Sequence, residues 1–173
     1  MKKLEDILES LKGSVLGIGI DESLLDIISE NENIHTCYIM TDKNQNKNFN
    51  YFGKGRSKKI NIKKIRKVFK KKKIDYIICN YNVIKPFIRR FISNSIYINK
   101  EKLYIYGNKE DLKELESKYK RYTNDVKLED NKDMSILIIN NKNVKTNFFK
   151  DKKYIIKDAF ESGLDILTNF LAR

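Results

Sequence analysis

Short apolar runs separated by amphipathic segments set the pattern of this chain. The runs at residues 14–20, 34–41 and 74–80 are too short to be separate helices and predict buried strands. Strands that alternate with helices pair in parallel through right-handed crossovers. The pattern therefore predicts an α/β domain built on a mostly parallel sheet.

Amphipathic helices are predicted around these strands. Asp21 stands where it can cap the helix after the first strand, and Asn61 and Asn108 stand before two later helices. Pro86 falls in the first turn of another helix, where its missing N–H group is tolerated. The predicted helices cover residues 4–11, 22–28, 62–73, 86–92, 108–122 and 158–172.

The second half of the chain contains two less regular parts. Residues 95–98 and 103–106 are apolar or aromatic, and they predict either one interrupted strand or a small hairpin. Residues 126–129 and 134–140 flank a polar turn and predict an antiparallel hairpin at the sheet edge. The whole chain, residues 1–173, is expected to form a single Rossmann-like three-layer domain.

Composition excludes several classes of protein. No apolar run approaches the roughly 18 residues of a membrane helix, and the charged N-terminus is unlike a signal peptide, so a cytoplasmic protein is expected. Cys37 and Cys79 lie in apolar runs without a CxxC motif and are expected to be buried, reduced thiols. His35 is the single histidine, so no metal is expected. Abundant Lys, Asn and Ile indicate an AT-rich bacterial genome.

Positive charge is concentrated in residues 43–73, called the basic segment below. It holds 14 of the chain's 36 Lys and Arg residues and no Asp or Glu, leaving 22 basic against 23 acidic residues elsewhere. The net charge of +13 therefore arises in this segment. Because the segment follows the second strand, it is expected at the C-terminal edge of the sheet, where α/β proteins bind ligands.

The basic segment predicts a polyanionic partner. Like charges one helical turn apart, such as Lys63 and Lys67, repel by about 0.2–0.5 kcal/mol per pair, and a phosphate chain would relieve that repulsion. Phe49, Tyr51 and Phe52 offer rings on which unpaired bases can stack, which favours RNA over DNA. An acidic protein is the alternative partner, whereas a membrane is not expected because the helix has a narrow apolar stripe. The expected phosphate contacts are Lys54, Arg56, Lys58, Lys59, Lys63, Lys64, Arg66, Lys67, Lys70 and Lys71.

Three stretches resemble the class I S-adenosylmethionine-dependent methyltransferases. They are VLGIGIDESLLDII at residues 15–28, the TD pair at residues 41–42 and DYIICNYN at residues 75–82. In that family the first strand ends in an acidic residue and a GxGxG turn that lies against the cofactor. The resemblance places Asp42 where the family holds the cofactor ribose, and Asn80 at the start of the catalytic turn.

The chain departs from the motifs of this family at several positions. Gly17 stands in place of the acidic residue, Gly19 matches the first glycine, and Asp21 and Ser23 replace the next two. As a helix cap, Asp21 would use amide donors that otherwise face a ligand. The prolines of the catalytic turn are absent. The family's third strand is expected to be missing, its place taken by the basic segment.

The charge and the resemblance together predict a non-catalytic RNA-binding protein that holds no cofactor. A ribosome-associated protein is one form of this hypothesis. The alternative is an active RNA methyltransferase. In that case the resemblance implies that Gly17, Gly19, Asp21 and Asp42 surround S-adenosylmethionine, with Asn80 near the methyl acceptor. A basic adaptor that docks on an acidic protein is the third hypothesis.

Overall fold

A computed structural model of the chain describes residues 2–40, 55–57, 65–130, 134–142 and 144. Within these residues seven strands form one sheet, in the order β3-β2-β1-β4-β5-β7-β6. The strands are β1 (Gly13–Ile18), β2 (Ile34–Met40), β3 (Gly55–Ser57), β4 (Ile74–Asn80), β5 (Asn99–Gly107), β6 (Val126–Glu129) and β7 (Ser135–Asn140). The first five pair in parallel, and β7 is antiparallel to both β5 and β6. The predicted parallel sheet with an antiparallel terminal hairpin is confirmed.

Helices cover both faces of this sheet. They are α1 (Lys2–Glu9), α2 (Glu22–Glu30), α3 (Ile65–Val68), α4 (Tyr81–Ile84), α5 (Ile88–Ile98) and α6 (Lys109–Tyr119), with a 3₁₀ turn at Lys85–Phe87. The core of one face includes, from α1 and α2, Leu4, Leu8, Leu24, Leu25 and Ile28. The core of the other includes, from α3, α5 and α6, Ile65, Phe91, Ile92, Leu112 and Leu115. The Rossmann-like three-layer architecture is confirmed.

Side-chain caps define where several helices begin. The Asp21 carboxylate accepts a hydrogen bond from the Leu24 backbone N–H at 3.1 Å, and α2 begins at the next residue. Asn108 accepts one from the Glu110 N–H at 2.9 Å and starts α6. Both predicted caps are confirmed, because each satisfies an amide that has no partner inside the helix. The cap predicted at Asn61 and the helix at residues 158–172 lie outside the described residues.

Residues 95–98 form the last turn of α5, so neither the interrupted strand nor the hairpin is correct. The helix continues to Ile98 because it is buried against α6, where the hydroxyls of Ser95 and Tyr119 are 2.9 Å apart. Asn99 then ends it, since its buried amide donates to the backbone carbonyls of Asp75 and Lys102. β5 begins at that residue and includes the second apolar run.

The third strand is present, contrary to the expectation from sequence. β3 runs parallel to β2, with Arg56 opposite Tyr38. It is three residues long and has no apolar alternation. Such a short edge strand forms main-chain hydrogen bonds with only one neighbour, so the identity of its side chains does little to indicate a strand.

The helix predicted over residues 62–73 ends earlier, at Val68. Lys72 has a φ of 51°, which is incompatible with a continuing right-handed helix. Its backbone N–H donates to the Tyr97 carbonyl at 3.0 Å, so the chain reverses against the end of α5 before entering β4. No glycine marks this turn.

Both cysteines are buried free thiols, as predicted. Burial raises the pKa of Cys37 to about 12 and raises that of Cys79 well above its ordinary value. Each therefore carries a protonated, unreactive sulfur at neutral pH.

Candidate functional site

The turn after β1 lies at the C-terminal edge of the sheet, where β2 and β4 also end. Gly19 adopts a φ of +61°, its N–H donates to the Met40 carbonyl at 3.1 Å, and its carbonyl accepts from the Tyr106 hydroxyl at 3.2 Å. Burial raises the pKa of Tyr106, so its hydroxyl stays protonated and can donate. Both main-chain polar groups of Gly19 are thus used within the protein.

The space above the two glycines of this turn is filled by other side chains. A Cβ on Gly17 would overlap the Ile20 side chain, with Cγ1 at 3.0 Å. A Cβ on Gly19 would overlap Val83, whose own Cβ would lie 2.9 Å away. Valine is branched at Cβ and stiff, so it cannot easily turn aside. A side chain at either glycine would therefore need its neighbour to move.

The polar residues at this edge are committed to local structure. Asp21 accepts from the Leu24 N–H and, at 2.9 Å, from the Ser23 hydroxyl. Asn80 caps α4 by accepting from the Asn82 N–H at 3.0 Å. These bonds hold the segments after β1 and β4 in fixed conformations. They also occupy acceptors that a bound ligand would otherwise use.

The structure brings four of the predicted cofactor or catalytic residues to this edge, namely Gly17, Gly19, Asp21 and Asn80. Asp42 lies outside the described residues. Sequence reasoning missed Val83 and Tyr106 as members of this cluster. Val83 lies two positions after the Asn80-Tyr81 pair, and nothing in the sequence around it indicates that it contacts a glycine from a different loop.

The residues of this turn match the family's S-adenosylmethionine motif only at Gly19. Ile20 and Val83 occupy the side-chain directions of Gly17 and Gly19, and Gly19 itself is partly exposed. The position that is acidic in the resembling family is glycine here, and Ile20 uses the space that a side chain at this position would need.

The basic segment is described only in part. Lys54, Lys58, Lys59, Lys63 and Lys64 lie outside the described residues, and for Arg56 and Lys67 the structure describes the backbone. Lys70 and Lys71 are exposed. They precede β4 and therefore lie at the N-terminal edge of the sheet, opposite the turn after β1. The structure does not bring these two lysines together with Gly19 and Asp21.

Two cations of the basic segment pack against the fold. The Arg66 guanidinium lies 4.0 Å from the centroid of the Tyr97 ring, and its Nη1 is 3.4 Å from the Ser93 hydroxyl. Lys72 Nζ donates to the Asn141 carbonyl at 3.0 Å. Burial, with the nearby charge of Lys71, lowers the pKa of Lys72 to about 8. Through its contacts with Ser93 and Tyr97, Arg66 links α3 to α5.

Two further observations concern the described part of the chain. No group of three or more His, Cys, Asp or Glu side chains there is placed to hold a metal ion. No helix in the same part has the length and apolar character that crossing a bilayer requires.

Several solved structures that match this fold are described as methyltransferases. M. capricolum TrmK, in complex with S-adenosyl-homocysteine, is 16% identical with a TM-score of 0.54 over 98% of this chain and 86% of its own. A SAM-dependent methyltransferase from Archaeoglobus fulgidus is 12% identical with a TM-score of 0.58 over 80% and 90%. A candidate tRNA (m1A22) methyltransferase from Streptococcus pneumoniae, in complex with S-adenosyl-L-methionine, is 13% identical with a TM-score of 0.55 over 87% and 77%.

The chain has the class I methyltransferase fold. No protein-family model matches its sequence, and no curated protein matches it either. At these identities the similarity to TrmK and the other structures establishes the architecture. Activity must be argued from the residues of this chain.

Proposed function

We propose that this chain binds RNA through its basic segment, in the cytoplasm, and transfers no methyl group. One observation carries the RNA-binding part: 14 cations and no acid in residues 43–73 of a chain that is otherwise nearly neutral. Neutralising such a charge density releases counterions from a nucleic acid, which drives association.

The packing of the turn after β1 supports binding without methyl transfer. Val83 and Ile20 take the space over Gly19 and Gly17, and Asp21 uses its carboxylate as a helix cap. A protein can retain a fold for recognition while its reaction site is closed, because affinity for RNA comes from surface cations.

An RNA-binding titration tests the first part of the proposal. Anisotropy of a labelled single-stranded RNA of mixed sequence is measured with rising salt for the wild type and for a variant with Lys58, Lys63 and Lys64 changed to Gln. The salt slope is the dependence of the logarithm of the binding constant on the logarithm of the salt concentration. Each lost phosphate contact lowers its magnitude by about 0.7, so the slope of the triple variant should be smaller by about 2. Arg66 is left unchanged because it packs on Tyr97.

The matched control removes three cations from the other end of the sheet. The control changes Lys113 on α6, Lys120 directly after α6 and Lys127 on β6 to Gln, which alters the net charge by the same amount. This variant should keep the wild-type slope. Equal losses in both triple variants would mean that RNA responds only to overall charge, and the proposed site would be wrong.

A thermal-shift titration with S-adenosylmethionine tests the second part. A ligand that binds only the folded state raises its stability in proportion to RT ln(1 + [L]/Kd). We expect no rise in melting temperature up to millimolar cofactor. A saturable rise would contradict the closed turn.

An RNA methyltransferase is the second candidate function. TrmK covers 98% of this chain, and the Streptococcus protein described above carries a tRNA assignment. A saturable cofactor shift, followed by transfer of labelled methyl groups to tRNA, would favour this candidate over the first.

A further inference from the structure

A second acid-free stretch lies outside the basic segment. Between Asp75 and Glu101 the sequence contains four cations and no acidic residue. Lys100 is paired with Asp75 at 3.2 Å, and Lys85 with Asp111 at 3.1 Å.

The remaining two cations of that stretch are Arg89 and Arg90, in the first turn of α5. Among the described residues, neither guanidinium has an ion-pair or hydrogen-bond partner. Arg90 is exposed and Arg89 is half-buried. Their charge is thus available at the surface, unlike that of Lys85 or Lys100.

These arginines line a surface depression of about 430 Å³. Its described walls are Lys85, Pro86, Phe87, Ile88, Arg89 and Arg90. The depression follows β4 and α4 directly, so it opens at the C-terminal edge of the sheet. Three of the six wall residues are cationic, and one of those three is already paired.

The basic segment contacts α5, the helix whose first turn lines the depression. Arg66 from α3 contacts Ser93 and Tyr97 on this helix. Arg89 precedes Ser93 by one helical turn on the same face, a rise of about 6 Å. Arg66 of α3 and Arg89 of α5 therefore lie on the same side of α5.

We propose that Arg89 and Arg90 bind phosphate groups of an RNA strand that lies along α5. This inference rests on the proposed function and adds two contacts outside the basic segment. A guanidinium can donate two parallel hydrogen bonds to a phosphate, which gives arginine a geometric advantage over lysine. The strand would leave the basic segment near Arg66 and reach the depression at Arg89.

The test compares two double variants of the full chain with the same labelled single-stranded RNA. Arg89 and Arg90 changed to Gln should lower the salt slope by about 1.4, at about 0.7 per contact. Lys113 and Lys127 changed to Gln remove equal charge at the far end of the sheet and should leave the slope unchanged. Arg89 and Arg90 changed to Lys should restore the slope with weaker binding. Far-UV circular dichroism checks that each variant is folded.

Each outcome separates this inference from the proposed function. A wild-type slope in the Arg-to-Gln variant, with a loss in the Lys58, Lys63 and Lys64 variant, would overturn the inference and leave the proposed function intact. Equal losses in the two double variants would also overturn it. Absence of salt-dependent RNA binding by the wild type would overturn both.

Discussion

The side chain of Val83 covers Gly19 and joins the segment after β4 to the turn after β1. Gly19 holds a positive φ and bonds to Met40 and Tyr106, so three strands meet at this one residue. The contact lies at the C-terminal edge of the sheet, where α/β proteins bind ligands.

Gly19→Ala should lower the free energy of unfolding by about 2 kcal/mol or more. The left-handed backbone accounts for about 1–2 kcal/mol, and the overlap with Val83 adds to it. Urea denaturation of Gly19→Ala, Val83→Ala and the double variant forms a cycle. We expect Val83→Ala to relieve part of the loss in the double variant. Additive effects would show that the two side chains do not compete for space.

Asp21→Ala should destabilise the protein by about 1 kcal/mol because the Leu24 amide loses its partner. Asp21→Asn keeps an acceptor and should lose much less. Urea denaturation at neutral pH compares the two. An equal loss in both variants would show that the charge of Asp21, and not its capping bond, stabilises α2.

Asp75 should make stability depend on acid pH. Burial alone raises the pKa of its carboxyl, but hydrogen bonds from the Ser14 N–H and hydroxyl and from Lys100 outweigh burial and lower it below its ordinary 3.8. The folded state then binds a proton less readily than the unfolded state. The stabilisation is therefore present above about pH 4 and is lost as pH falls through the folded-state pKa.

Comparing wild type with Asp75→Asn by urea denaturation across this pH range tests that sign. The wild type should be the more stable above about pH 4, and the difference should shrink at lower pH. A difference that is independent of pH would show that Asp75 acts without its charge.

Arg66 and the half-buried Tyr97 ring should show a coupling energy of about 0.5–1 kcal/mol, the lower part of the range for cation–π contacts. Stability of Arg66→Ala, Tyr97→Leu and the double variant gives this value. Arg66→Lys keeps the charge but loses the planar guanidinium, so it should retain only part of the coupling energy. A coupling energy of zero would mean that the Arg66–Tyr97 contact does not contribute to stability.

The alternation of apolar runs predicted the order of β1, α2, β2 and β4, because buried strands and amphipathic helices have distinct periods. Residues 95–98 were assigned wrongly, since Ile96 and Ile98 suit a strand or a helix that is buried on most sides. β3 was missed because Gly55–Ser57 pairs through its backbone. In each case tertiary contacts decided the conformation.

Only part of the candidate site was predictable from the sequence. Parallel strands bring Gly19 and Asn80 to one edge, which topology alone implies. The contact with Val83 depends on how two loops pack, and a single sequence does not encode it in a motif. Arg89 and Arg90 were overlooked because two cations are a weak signal beside a segment that holds 14. Their significance comes from their position on α5, one turn from a residue that Arg66 contacts.

In the proposed RNA complex, the length of α5 limits how much RNA one molecule covers. The helix has 11 residues and is about 16 Å long. At roughly 3.4 Å per nucleotide for a stacked strand, its footprint is about five nucleotides. Several copies of the protein could then occupy a long transcript side by side.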